Sequence, residues 1–117
     1  MIRCRRIYLP ASPDDGARVL VERLWPRGLR KADAHLDLWL KAAAPSPDLR
    51  RWYGHDPARW MEFQARYRAE LAANTPVVAQ LCTLAAQGNL TLVHAARDQP
   101  GNSTQVVCDY LQALLAR

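Results

Sequence analysis

No part of the chain approaches the roughly eighteen uninterrupted apolar residues that a bilayer-spanning helix needs, and Met1 leads into an arginine-rich segment, not a signal-peptide apolar run. A membrane partner is therefore not expected, and the cytoplasm is the expected location. Cysteine is scarce: Cys4, Cys82 and Cys108 are odd in number, none stands in CxxC spacing, and each lies among apolar neighbours. That excludes a disulfide frame or a zinc knuckle and leaves three thiols to be buried. The motifs of the common nucleotide and hydrolase folds are missing as well. There is no GxSxG elbow, P-loop, GxGxxG fingerprint or HExxH pair, so the chemistries that depend on those spacings are not expected. No Cys/His cluster implies a metal; only folding could bring Asp14, Asp15, Asp98 and His55 together around one. The sequence assigns neither a cofactor nor an oligomeric state.

What is present is ordinary globular composition. The 117 residues, half of them apolar, suit one domain over 1–117 with a single core. Lysine is limited to Lys31 and Lys41, and arginine carries the rest of a formal charge of +5. Such a balance favours anionic partners: phosphate-bearing metabolites, nucleic acid or acidic proteins. The arginines are spread over every segment, whereas a nucleic-acid module concentrates them on one face.

Ile2 to Tyr8 reads as a strand near an edge, stopped by Pro10. The turn cluster Ser12 to Gly16 separates it from an expected buried strand, Val19 to Leu24, ended by Trp25-Pro26-Arg27-Gly28. Asp33 is placed to cap a helix on which Leu36, Trp39, Leu40 and Ala43 recur until Pro45. Ser46-Pro47 opens a second helix through Tyr53, with Gly54 at its stop. Asp56-Pro57 opens a third, with Trp60, Phe63, Tyr67 and Leu71 as its apolar stripe and Glu62 and Arg66 as an outward i,i+4 pair. Thr75-Pro76 opens a fourth, ended by Gly88. Leu90 to Ala95 is apolar enough for a strand covered on both faces, and Ser103 to Leu115 closes the chain as an amphipathic helix.

Strands separated by helices predict an α/β fold, a small three-layer sandwich with a short, mainly parallel sheet flanked by helices. A fourth strand is expected near Arg30 or at a chain end. Ligands of such sheets gather beyond the carboxyl ends of the strands, which here means the loops after Leu24 and after Ala95.

The run Arg18-Val-Leu-Val-Glu-Arg-Leu-Trp-Pro-Arg-Gly28 closely resembles the signature of the YeaO-like family of bacterial proteins, domain of unknown function 488. Leu36 to Lys41, Ala44-Pro45-Ser46, Trp52 to Pro57 and Ala95 to Asp98 also resemble family segments, in order. The resemblance implies no settled activity, only occasional labels of transcriptional regulation. His94 stands where the family commonly has tyrosine, and Gly101 where a histidine often precedes the asparagine matched by Asn102. If the missing histidine matters to an activity, the resemblance implies an altered or inactive member.

The candidate ligand-binding residues are Arg23, Trp25, Arg27, Arg97, Asn102 and Ser103. Arginine forks on either side of Trp25-Pro26 suit phosphate or carboxylate, and a helix start at Asn102-Ser103 favours negative charge. The plainer alternative is that Arg23 pairs with Glu22 or a helix carboxylate, Trp25 caps the core, Asp98 orients Arg97, and Asn102 or Ser103 caps a helix. Asp98 and His55 are the candidates for catalytic proton transfer, although Gly54-His55-Asp56-Pro57 also serves as a stop and start between helices. His94 reads as a core histidine and His35 as a surface one. The leading expectation is an arginine-rich site for a small anion, phosphorylated or nucleotide-like. A nucleic-acid or regulatory module stands second. A partner surface built from Trp39, Trp52, Trp60 and Tyr67 stands third.

Overall fold

In the computed structural model, which describes residues 1–96 and 102–116, four short segments pair into one sheet: β1 (Ile2–Arg6), β2 (Ala17–Leu20), β3 (Leu38–Trp39) and β4 (Leu90–His94). All pairings are parallel and the strand order is β1-β4-β2-β3. The last strand thus lies between the first two, with Ile2 opposite Leu90 on one side and Ala17 opposite Leu90 on the other. β4 is buried along its whole length, as its unbroken apolar run predicts. The helices are α1 (Lys31–Ala34), α2 (Pro47–Tyr53), α3 (Trp60–Ala73), α4 (Thr75–Gln87) and α5 (Ser103–Leu115). The fold is α/β, a short parallel sheet flanked by helices.

Side chains alternate across the strands, so the sheet has two distinct faces. Ile2, Val19, Leu90 and Leu92 join the main core with Leu49 and Tyr53 of α2, Phe63, Tyr67 and Leu71 of α3, Val77 and Leu81 of α4, and Leu111 of α5. Leu20 and Val93 face the other way, into a smaller cluster with Ile7, Ala34 of α1, Trp25, Leu29, Leu36 and Trp39. The helices after α1 follow their sequence signals. Ser46 accepts from the Leu49 amide, Gly54 stops α2 at φ 54°, and Glu62 pairs with Arg66 outside the Phe63-Tyr67-Leu71 stripe.

Two expected elements differ. The helix placed over Leu36 to Ala43 is instead β3 followed by a 3-10 turn, Lys41–Ala43. Its backbone donors are taken by β2: Asp37 N–H reaches Arg18 O at 2.9 Å and Leu40 N–H reaches Leu20 O at 2.8 Å, and Asp33 pairs with Arg30 instead of capping. Apolar spacing alone cannot separate a helix from a short strand when a neighbouring strand supplies the hydrogen bonds. The second strand also ends at Leu20, four residues before Leu24, because Val21 to Leu24 turn away to form the site described below. The cysteines differ in degree: Cys108 is buried, whereas Cys4 and Cys82 are only partly so. Burial, with Asp109 nearby, pushes the Cys108 thiol up to about 11, so it stays protonated at neutral pH.

Asp15 closes the amino end of the sheet. It lies in a 3-10 turn (Pro13–Asp15) whose capping residue, Ser12, donates its N–H to the Asp15 carboxylate at 3.1 Å. Arg3 and Arg5 of β1 reach Oδ1 at 2.7 and 2.9 Å, and Arg18 of β2 reaches Oδ2 at 2.6 Å. Arg18 spends its other donors on the carbonyls of His35 and Ala34, both at 3.1 Å. The next residue, Gly16 at φ 63°, passes so close to β4 that a Cβ would fall 2.0 Å from Asn89 O. Only glycine fits there.

Burial works to raise the Asp15 pKa, but the Ser12 amide and the Arg18 and Arg5 guanidiniums outweigh it and hold it at about 2. The group is ionised with more ease in the folded chain than in the unfolded one, so its stabilisation is complete above the ordinary aspartate pKa of about 4. It should fade as the pH falls from about 4 through about 2. Asp15→Ala, which leaves Arg18 buried without its carboxylate, should cost about 3–5 kcal/mol in urea unfolding. A loss below about 1 kcal/mol would mean that the three arginines find other partners.

Candidate functional site

At the opposite edge, the loops that leave β1, β2 and β4 meet helices α2, α3 and α5 around a cleft of about 960 Å³. Tyr8, Glu22 to Arg27, and Ala95 with Ala96 come from the sheet side; Arg50, Tyr53, His55, Trp60 and Phe63 come from the helices; Asn102 and Ser103 stand at the start of α5. This is where a parallel sheet places its ligands. The cleft gathers Arg23, Trp25, Arg27, His55, Asn102 and Ser103 from the sequence-derived set. Arg97 and Asp98 lie outside the described residues.

Each side chain has a definite local cause. Trp25 sits edge-on to Trp39 at 5.3 Å and donates its Nε1–H to Leu29 O at 2.7 Å, so one ring both covers the smaller cluster and walls the cleft. Arg27 is exposed, and its carbonyl accepts from the Tyr8 hydroxyl at 2.8 Å. Arg23 does not pair with Glu22. Among the described residues its one hydrogen bond is a long one, from Nη2 to Pro45 O at 3.5 Å, and its Nε is buried with no hydrogen-bond partner. No carboxylate among the described residues lies within ion-pairing distance of Arg23, Arg27 or Arg50.

Asn102 does cap α5, its side chain accepting from the Thr104 amide at 2.9 Å. His55 occupies a left-handed turn at φ 56°, exposed at the rim, with its ring 5.9 Å from that of Tyr53. Asp56 beside it is used structurally, accepting from the Ala58 amide at 3.0 Å. His94 is buried on β4 and His35 is exposed at the end of α1. Of the four groups considered for a metal, Asp15 is taken by arginines at the far end of the sheet, and no described group of acidic, histidine or cysteine side chains is arranged to hold an ion. The aromatic partner surface does not form as expected: Tyr67 is buried and its hydroxyl donates to Ala43 O, while Trp39, Trp52 and Trp60 are partly buried against the core.

Two cleft residues were not singled out from the sequence. Glu22 follows β2 by two residues and accepts from the Ala95 amide at 2.7 Å, which ties the exit of β2 to the exit of β4. Burial raises its carboxyl pKa above the ordinary range; the Ala95 amide and the charge of Arg50 offset only part of that. Arg50 is that second residue, an exposed guanidinium of α2 on the cleft wall.

Among the described residues, no helix is long and apolar enough to cross a membrane. No solved structure matches the chain. The chain is 39% identical to the uncharacterised protein YeaO of Escherichia coli K12 over 113 residues, which cover 97% of this chain and 98% of that protein. It is 41% identical to the uncharacterised proteins Mb3100c of Mycobacterium bovis and Rv3073c of Mycobacterium tuberculosis over 110 residues, 94% of this chain and 92% of each relative. A family model described as the inactive DUF488-N3 subclade matches residues 1–117. With relatives of that similarity over nearly its whole length, the chain belongs to this YeaO-containing DUF488-N3i family.

Proposed function

We propose that the chain is a binding domain whose carboxyl-edge cleft takes a small anionic metabolite, foremost a phosphorylated one. The observation that carries this is the Arg23 guanidinium. It lines the cleft, its hydrogen bond to Pro45 O is long at 3.5 Å, and no carboxylate among the described residues lies within ion-pairing distance of it, which leaves its charge for a ligand. Arg27 and Arg50 add charge to the same cleft, again with no described carboxylate in ion-pairing range. The family's description as inactive favours binding over turnover. His55 and Glu22 then shape the electrostatics of the cleft and move no protons.

A nucleic-acid module would use the same net charge of +5. Here Arg3, Arg5 and Arg18 are spent on Asp15, and Arg30, Arg51, Arg59 and Arg66 on near neighbours in the chain. That consumption of charge favours a small anion in the cleft over a long polyanion on a face.

Calorimetric titration of the full chain with inorganic phosphate and with sulfate tests this. Saturable binding is expected, weakened about tenfold or more in Arg23→Ala and Arg50→Ala, as befits loss of a charge-assisted hydrogen bond. Absence of any saturable anion binding by the intact protein refutes it. Sulfate keeps its charge from pH 7 to 5, so its affinity reports only the protein. Protonating Glu22 removes a negative charge from the cleft, and binding should strengthen as the pH falls towards the raised pKa of that carboxyl. Glu22→Gln should bind sulfate more tightly at pH 7 and show a flatter pH profile than the native chain.

A further inference from the structure

Glu22 makes the cleft an awkward host for a bare anion. Its carboxylate is fixed in place, because Oε1 accepts from the Ala95 amide at 2.7 Å and the Glu22 carbonyl accepts from Trp39 Nε1 at 2.7 Å. The other carboxylate oxygen makes no hydrogen bond among the described residues. An ionised carboxylate offers about four acceptor positions, and Glu22, which lines the cleft, has one described hydrogen bond to its carboxylate. An anion brought alongside would repel it. The repulsion is offset if the same ligand also presents neutral donors to Glu22, with its anionic group on the arginines.

Size and walls narrow the ligand further. About 960 Å³ lies at the upper end of the range for small-molecule sites and far exceeds a phosphate ion. The walls include flat rings held rigidly. Trp25 and Trp60 are the partly exposed ones: Trp25 is locked by its bond to Leu29, and Trp60 is braced 5.6 Å from Phe63 and 5.9 Å from Tyr53, both buried in the core. Rigid aromatic faces favour a planar ring system.

We propose that the ligand is a nucleoside monophosphate, its phosphate on Arg23 and Arg50, its sugar hydroxyls donating to Glu22 and its base against the aromatic wall. This rests on the anion-binding function above and adds the substrate class and the residue that selects it. A vicinal pair of hydroxyls matches a carboxylate as two donors to one acceptor group, and each bond to a charged acceptor is among the stronger kinds.

The test is calorimetry of the full chain with adenosine 5′-monophosphate, its 2′,3′-dideoxy analogue, ribose 5-phosphate and inorganic phosphate. The monophosphate should bind at least about tenfold more tightly than the dideoxy analogue, the factor expected for losing hydrogen bonds to a charged group. It should also outbind ribose 5-phosphate. In Glu22→Gln, which keeps an acceptor for the Ala95 amide, the preference for the hydroxyls should collapse towards one while phosphate binds more tightly. Should that variant fail to fold, the four ligands on the native chain decide alone. Equal binding of the monophosphate and its dideoxy analogue, or of ribose 5-phosphate and the monophosphate, overturns the proposal while phosphate binding keeps the anion site. A hydroxyl preference that survives in folded Glu22→Gln overturns it too. If neither phosphate nor the monophosphate binds, the anion site falls with it.

Discussion

The sheet depends on one buried carboxylate. Asp15 takes Arg3 and Arg5 from β1 and Arg18 from β2, while its own carbonyl accepts from the Thr91 hydroxyl of β4 at 2.7 Å. Arg18 extends the network to the carbonyls of Ala34 and His35, beside the start of β3. A guanidinium as buried as that of Arg18 is tolerated only with its donors answered, so each segment's position is a condition on the others. β4 enters between β1 and β2 from the far end of the chain; the Arg3 to Thr91 bond spans 88 residues. Closing such long loops is entropically costly, and the Asp15 network helps to hold β1 and β2 in register with the strand between them.

The two ends of the sheet treat charge in opposite ways. At the amino end, three guanidiniums surround one acid and every short-range demand is met inside the protein. At the carboxyl end, among the described residues, Arg23, Arg27 and Arg50 have no ion-paired carboxylate, and Glu22 lines the same cleft. Glu22 is instead spent on the Ala95 amide, which fastens two strand exits together but leaves the arginines' charge uncompensated. The acids shift in opposite directions: Asp15 is held down to about 2 by the Ser12 amide and cations in contact, and Glu22 is pushed up by burial that the Ala95 amide and Arg50 offset only in part. Stability follows the same contrast. Asp15 stabilises the fold more once ionised, whereas ionising Glu22 costs stability as pH rises through its raised pKa.

Most of the fold was legible in the sequence because most of its elements carry local punctuation. Ser46-Pro47, Gly54, Thr75-Pro76 and Gly88 bound helices through capping and backbone geometry that act within a few residues. β4 was legible through its unbroken apolar run. β3 was not, since Leu38 and Trp39 are strand only because Val19 and Leu20 lie alongside, and nothing in residues 31–43 records that neighbour. The cleft divides the same way. Arg23, Trp25 and Arg27 were found from their place at the end of a strand, but Glu22 looked like the natural partner of Arg23. Only the approach of Ala95, more than seventy residues away, redirects it. Arg50 lay on a helix whose own pattern concerned Leu49 and Tyr53, and its proximity to Glu22 is wholly tertiary.

The geometry around Glu22 also bears on how such a cleft selects its ligand. Glu22 is pinned through both its side chain and its backbone, and His55 sits in an exposed turn at the rim whose geometry is set by the helix stop at Gly54. A fixed acceptor of this kind suits discrimination. Specificity is a difference between affinities, and a rigid acceptor that penalises any anion lacking donors lowers the affinity of the wrong ligands while leaving the right one its full set of bonds. On the proposed function, the carboxylate that appears to oppose an anion site is what makes the site selective.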